Sequence, residues 1–230
     1  MDYSLTAEHI QKKYGGTTIL NNVSMRVKKG EIYGLVGKNG SGKTTLLRIL
    51  TGLIQDYKGS VNTGKNKVAV VINDPSLFLN MTALENLNEQ ARLMNIRDSR
   101  KINSALKLVG LDNCNEKLVK NFSLGMTQRL KLAMALLEVP DVLILDEPVN
   151  GLDPDGIADL RELLLKLNRE NGVTILISSH ILSELEQIAT CFGILHDGEI
   201  VKEFYIKDVL QTGKGVEEVY MQHTRGGIQS

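Results

Sequence analysis

The sequence predicts an α/β fold: a nucleotide-binding core of alternating strands and helices, an antiparallel β segment at its start and an all-helical insertion within it. Three observations predict this. A glycine loop, Gly37-Lys38-Asn39-Gly40-Ser41-Gly42-Lys43-Thr44, lies between an apolar strand and a helical stretch. An apolar run, Val142 to Leu145, ends in two adjacent carboxylates, Asp146 and Glu147. Strand–helix alternation gives way to purely helical patterning over about residues 80–138 and then resumes.

Residues 2–35 alternate and turn like an antiparallel sheet, with Lys29-Gly30 as a turn before a strand from Glu31 to Val36. That strand runs into the glycine loop, and Lys43 to Leu53 reads as a helix. Gly59–Val61 and Val68–Ile72 read as strands. Thr82-Ala83-Leu84-Glu85 is a capping box opening a helix to about Asn95, and a second helix spans about Ser99 to Val109, with Gly110 as its stop. Ser123 caps a third, apolar helix that Pro140 ends. Asp153 and Pro154 open a helix whose Ile157, Leu160, Leu164 and Leu167 share one face. Val173–Ser178 reads as a buried strand, Ser183-Glu184-Leu185-Glu186 as a second capping box and Asp197-Gly198 as a hairpin turn. The domain reading is one unit, 1–230: a nucleotide-binding lobe of about 1–79 and 139–205, a helical part of about 80–138 and a short C-terminal segment, 206–230.

Hydrophobic residues make up 42% of the 230 residues, enough for a substantial core. Lys plus Arg and Asp plus Glu each number 27, so the totals do not indicate a basic nucleic-acid footprint. No apolar run approaches the ~18–20 residues a membrane span needs, and the polar N-terminus does not read as a signal peptide. Cys114 and Cys191 lack metal spacing and read as reduced cytosolic thiols.

A glycine loop between strand and helix gathers backbone N–H groups and a helix N-terminus on one anion. Residues 37–45 would therefore cradle nucleotide phosphates, with Lys43 reaching the β- and γ-phosphates and Thr44 ligating Mg²⁺. Two carboxylates side by side repel, so a cation is expected beside them. Asp146 would bind Mg²⁺ and Glu147 would take a proton from the attacking water; a capped or salt-bridged acidic pair is the other reading. His180 follows its strand by two residues, so it falls at the same sheet edge as Asp146. It could orient the water, although a histidine after a strand is commonly structural. Ser123 and the Gly125 amide could bind a second anion, or Ser123 could be a plain N-cap. Tyr14, beside Gly15-Gly16, could stack on a purine or pack in the core.

The order of glycine loop, helical insert, S-x-G-x-x-Q-R, L-I-L-D-E-P, G-L-D-P and S-S-H resembles the ATP-binding cassette (ABC) family over about residues 3–205. The resemblance implies a P-loop NTPase core of the RecA-like kind with an N-terminal antiparallel β subdomain and an inserted α-helical subdomain. It implies ATP and Mg²⁺ as cofactors and a second copy of the chain as partner, each ATP lying between the glycine loop (Gly37, Asn39, Gly40, Ser41, Gly42, Lys43, Thr44, Thr45) of one copy and Ser123 and Gly125 of the other. By the same resemblance Tyr14 stacks on adenine, Asp146 and Glu147 are the metal-binding and catalytic pair, Asp153 reaches across the dimer, and His180 is the switch histidine, so that Glu147, His180 and Lys43 make up the catalytic set. Two motifs depart from the family. The usual L-S-G-G-Q signature is here Phe122-Ser123-Leu124-Gly125-Met126, and the metal-sensing glutamine is Asn73, one methylene shorter.

F-S-L-G-M-x-Q-R with V-N-G-L-D-P and S-S-H-I-L-S-E is similar to the bacterial bacitracin- and lantibiotic-resistance branch. That likeness implies an ATPase subunit serving a separate membrane permease on the inner face of the plasma membrane, with no nucleic-acid partner. A soluble ABC ATPase, a non-hydrolysing clamp and an importer subunit are the alternatives. Against the first stand a single cassette, no long coiled-coil insertion and zero net charge; against the clamp stand Glu147 and His180.

Overall fold

The computed structural model describes residues 2–72, 77–114 and 116–224. The chain opens with β1 (Tyr3–Tyr14) and β2 (Thr17–Lys28), antiparallel partners joined at Gly15-Gly16. They form a three-stranded sheet with β4 (Lys58–Asn62), in the order β2-β1-β4. The strand after the Lys29-Gly30 turn does not continue this sheet as expected. It becomes β3 (Ile32–Val36) in a second sheet, because all five of its residues are buried and a strand covered on both faces needs layers on either side. That sheet also contains β5 (Val68–Val71), β6 (Val142–Asp146), β7 (Thr174–Ser179), β8 (Cys191–His196) and β9 (Glu199–Tyr205), in the order β5-β6-β7-β3-β8-β9. All neighbours are parallel except β9, which returns from β8 through the Asp197-Gly198 turn.

The period-2 alternation of these strands separates two cores. Val142, Ile144, Tyr33, Leu35 and Leu176 face β1, β2 and the glycine-loop helix α1 (Lys43–Leu50). Leu143, Leu145, Ile32, Val36, Ile175 and Ile177 face the remaining helices. These include the insert: α2 (Ala83–Leu93), α3 (Ser99–Leu108) and α4 (Leu124–Ala135). They also include α5 (Pro154–Asn171), α6 (Leu182–Glu186), α7 (Ile206–Gln211) and α8 (Val216–Thr224). The first capping box is complete: the Thr82 hydroxyl accepts from Glu85 N, and Glu85 accepts from Thr82 N. On α5, Leu160, Leu164 and Leu167 are buried as the spacing requires, whereas Ile157 is half-buried.

Two local expectations are corrected. The helix capped by Ser123 ends at Ala135, before Pro140. Ser183 caps nothing, because α6 already starts at Leu182; its N-cap, Ile181, offers no side-chain acceptor, and Ser179 Oγ instead accepts from Ile181 N at 2.9 Å.

No helix among the described residues is long and apolar enough to cross a membrane. The cysteines are both free, Cys114 half-buried and Cys191 buried. Burial, then the nearby Glu31 carboxylate, pushes the Cys191 thiol up to about 12. At pH 8 it holds almost no thiolate, the reactive form. A thiol titration of the native protein should therefore modify Cys114 and spare Cys191 until urea is added. Equal labelling of both in the native state would contradict this environment.

Candidate functional site

Register builds the site. β6 and β7 pair Asp146 with Ser178, and β3 and β7 pair Val36 with Ser179, so the carboxyl ends of three adjacent strands finish level. This is the edge where parallel α/β sheets bind ligands. From it come the glycine loop after β3, Asp146 and Glu147 after β6, and His180 after β7.

Glycine is demanded in the loop by the protein itself. Gly42, the N-cap of α1, has φ +105°, and a Cβ there would come within 2.8 Å of Leu20. At Gly37 a Cβ would lie 2.4 Å from the Leu195 carbonyl oxygen. The loop is thus wedged between β2 and β8, and its amides are left to converge above α1.

Lys43 is buried, and its Nζ donates to the Gly37 carbonyl at 2.8 Å and the Lys38 carbonyl at 3.3 Å. It also pairs with Glu147 Oε1 at 3.1 Å, at an angle that makes no hydrogen bond. The cation beside the two carboxylates is therefore Lys43 itself. The acids face different partners. Asp146 Oδ2 accepts from Thr44 Oγ1 at 2.7 Å, and its Oδ1 accepts from Ser178 Oγ at 2.6 Å. Glu147 Oε2 faces His180 Nδ1 at 2.8 Å and the His180 amide at 3.3 Å. The tautomer with hydrogen on Nδ1 donates to Oε2. Glu147 has φ +48°, a left-handed backbone uncommon outside glycine and a strain that tends to accumulate at functional sites. Among the described residues, the buried side-chain atoms without a hydrogen-bond partner are Glu147 Oε1 and Ser41 Oγ, both at this loop.

A cradle is lined by Tyr14, Ile19, Asn39, Gly40, Gly42, Lys43, Thr44, Thr45 and Glu147. A larger concavity lies beneath α8 and one of similar size between α3, α4 and α5, but phosphate-directed groups converge on this one. Tyr14 stands at the end of β1, half-exposed, and not in the core. Ser123, Gly125 and Asp153 are not in the cradle. Ser123 is exposed and caps α4, its Oγ accepting from Met126 N at 3.2 Å. Asp153 is exposed and caps α5, its Oδ1 accepting from Gly156 N at 2.9 Å. Gly125 lies against the Leu152 side chain at the cleft between α4 and α5. Asn73 lies outside the described residues. Sequence reasoning missed Ser178, which the register pairs with Asp146, and Ile19, whose strand carries no local motif.

Comparison with known proteins gives the family. The model of the family described as ABC transporter matches residues 20–150, more than half of the chain. The chain belongs to the ABC transporter family. It is similar to the bacitracin transport ATP-binding protein BcrA of Enterococcus faecalis, 42% identical over 91% of this cassette and 71% of the relative. It is similar to the lantibiotic transport ATP-binding protein SrtF of Streptococcus pyogenes, 43% identical over 86% of this cassette and 90% of the relative. A solved dimeric ATP-binding cassette in a post-hydrolysis state with ADP and Pi, MJ0796, superposes with TM-score 0.77 at 26% identity, covering 88% of this chain and 98% of that one. The cassette is an ABC ATPase subunit: a P-loop core with an antiparallel β part and a helical insert.

Proposed function

We propose that this subunit hydrolyses ATP as a head-to-tail pair with a second copy and drives export of a peptide antibiotic through a separate membrane permease, working at the cytoplasmic face of the membrane. The observation that carries the reading is Glu147. It is held between His180 and Lys43 at the mouth of the glycine loop, with Oε1 lacking a hydrogen bond. The names of the bacitracin and lantibiotic relatives support the cargo class, and the dimeric cassette supports the pairing.

The residues suit Mg²⁺ with a nucleotide. A hydroxyl and a carboxylate oxygen, Thr44 Oγ1 and Asp146 Oδ2, lie side by side, which suits a hard cation. Among the described residues no cluster of three or more His, Cys, Asp or Glu could cage a metal, which fits an ion that relies on substrate phosphates and waters. When bound, Mg²⁺ neutralises charge on the phosphates.

Lys43 would turn from its carbonyls and Glu147 towards the β- and γ-phosphates. Glu147 Oε1, released from the ion pair, would accept a proton from the attacking water, while His180 Nδ1 keeps Oε2 in place. Tyr14 would stack on the adenine. Ser123, exposed at the start of α4, and the half-buried Gly125 beside it would meet the phosphates bound by the partner copy, and Asp153 would approach the same interface.

Lys43→Ala removes the charge on the phosphates and leaves Glu147 without its counter-charge. It should abolish nucleotide binding or turnover in a phosphate-release assay. Unchanged activity in a folded Lys43→Ala protein would remove the glycine loop from the reaction.

A further inference from the structure

Lys12 is a cation the phosphate chemistry does not use, and it is buried, with 5% of its surface exposed. A buried ammonium persists only where acceptors surround it. Its Nζ donates to the Asp56 carbonyl at 2.5 Å and to Asp56 Oδ2 at 3.1 Å. That carboxylate is fully exposed, so water screens it and the carbonyl is the main anchor. The third neighbour is aromatic: the ammonium lies over the Tyr14 ring, 4.7 Å from its centroid.

The geometry points to Lys12 as the positioning residue of the purine platform, fixing the Tyr14 ring and polarising it for stacking on the base of the bound nucleotide. The inference rests on the adenine-stacking role of Tyr14 given above. Three observations carry it. Tyr14 is half-exposed at a hairpin end: the Gly15-Gly16 turn and the pairing with Thr17 fix its backbone, but not its ring. Asp56 belongs to the segment leaving α1, so Lys12 ties the strand end bearing the ring to the helix that follows the phosphate loop. Tyr14 and that loop line one cradle, so the tie sets the spacing between base and phosphate subsites. An ammonium occupies one face of a ring and draws electron density towards itself. The other face then stacks better on an electron-rich purine. Fixing the ring beforehand also removes an ordering cost from binding.

The test is calorimetric titration of the full chain with MgATP and, separately, with magnesium tripolyphosphate, which has phosphates but no base. Lys12→Met keeps the apolar stem and removes the charge. It should weaken ATP binding by about three- to tenfold and leave tripolyphosphate binding unchanged. Lys12→Arg should retain most of the ATP affinity. Lys12→Gln, which keeps a donor for the Asp56 carbonyl without the charge, should behave like Lys12→Met, and it replaces that variant if methionine impairs folding. In a Tyr14→Leu background Lys12→Met should cost nothing further.

Equal weakening of both ligands would overturn the inference and make Lys12 a general prop of the sheet. Undiminished ATP affinity, or a full additional loss in the Tyr14→Leu background, would overturn it too. If Tyr14→Leu alone leaves ATP binding unchanged, the stacking role of Tyr14 fails and Lys12's falls with it. If Tyr14→Leu weakens ATP selectively and Lys12→Met does not, Lys12 alone is excluded.

Discussion

Glu147→Gln should lower ATP turnover at least ~100-fold, the order expected when a general base is removed. Glutamine keeps the length and shape of the side chain and still offers an oxygen to His180 Nδ1, so the strained φ of +48° and the Asp146 contacts need not change. What is lost is the ability of Oε1 to hold a proton. The variant also removes the negative partner of Lys43, which must leave Glu147 before phosphate can take its place. ATP affinity is therefore kept. Since ATP would join the two copies and the variant cannot consume it, the protein should sediment as a dimer with ATP and a monomer without it. A monomer under both conditions would count against the paired arrangement, and near-normal turnover would count against Glu147 as the base.

Ser123→Arg should abolish both ATP-dependent dimerisation and hydrolysis while leaving ATP binding to the single chain intact. Ser123 lines no part of the cradle, so arginine there does not reach Lys43 in its own chain. The residue is exposed, and its visible contact is the cap on Met126 N. Loss of that cap alone costs about 1 kcal/mol, too little to unfold a domain with two cores. A bulky cation where a partner's γ-phosphate docks has a far larger effect. Sedimentation and phosphate release, with a thermal melt to show folding, check this. Near-normal ATPase activity in the folded variant would take Ser123 out of the site.

What could be read from the sequence was local or periodic. The glycine loop combines a strand, a turn and a helix start in one stretch, and each signal is contiguous. The Asp146–Glu147 pair was legible because an apolar run of strand length ends there. The capping box at Thr82 was legible because both of its hydrogen bonds close within one helical turn. The motif at Ser183 has the same spelling but failed. The chain had already entered α6 at Leu182, so the serine came too late to cap. The assignment of β3 to the parallel sheet depended on what covers its two faces, and nothing in residues 2–35 states that.

Long-range geometry was not legible. Which partner neutralises Glu147 depends on β3 and β6 ending level, and that follows from register across β7. The contact of Lys12 with Asp56 joins residues far apart in sequence, and its cue, a lysine two before an aromatic, is too common to notice. Ser123 shows the opposite case. Its local role as a cap is visible in one chain, whereas its proposed role needs a second chain to complete the site.

The claim that two copies share each ATP is tested most directly by mixing Lys43→Ala subunits with Ser123→Arg subunits and measuring phosphate release. Each variant alone forms only defective sites. In a head-to-tail mixed pair, one site carries both lesions and the other carries neither. Activity absent from either protein alone should therefore return on mixing and depend on the ratio of the two. A mixture as inactive as its components, with both variants folded and with mixed pairs detected by crosslinking, would contradict the shared site.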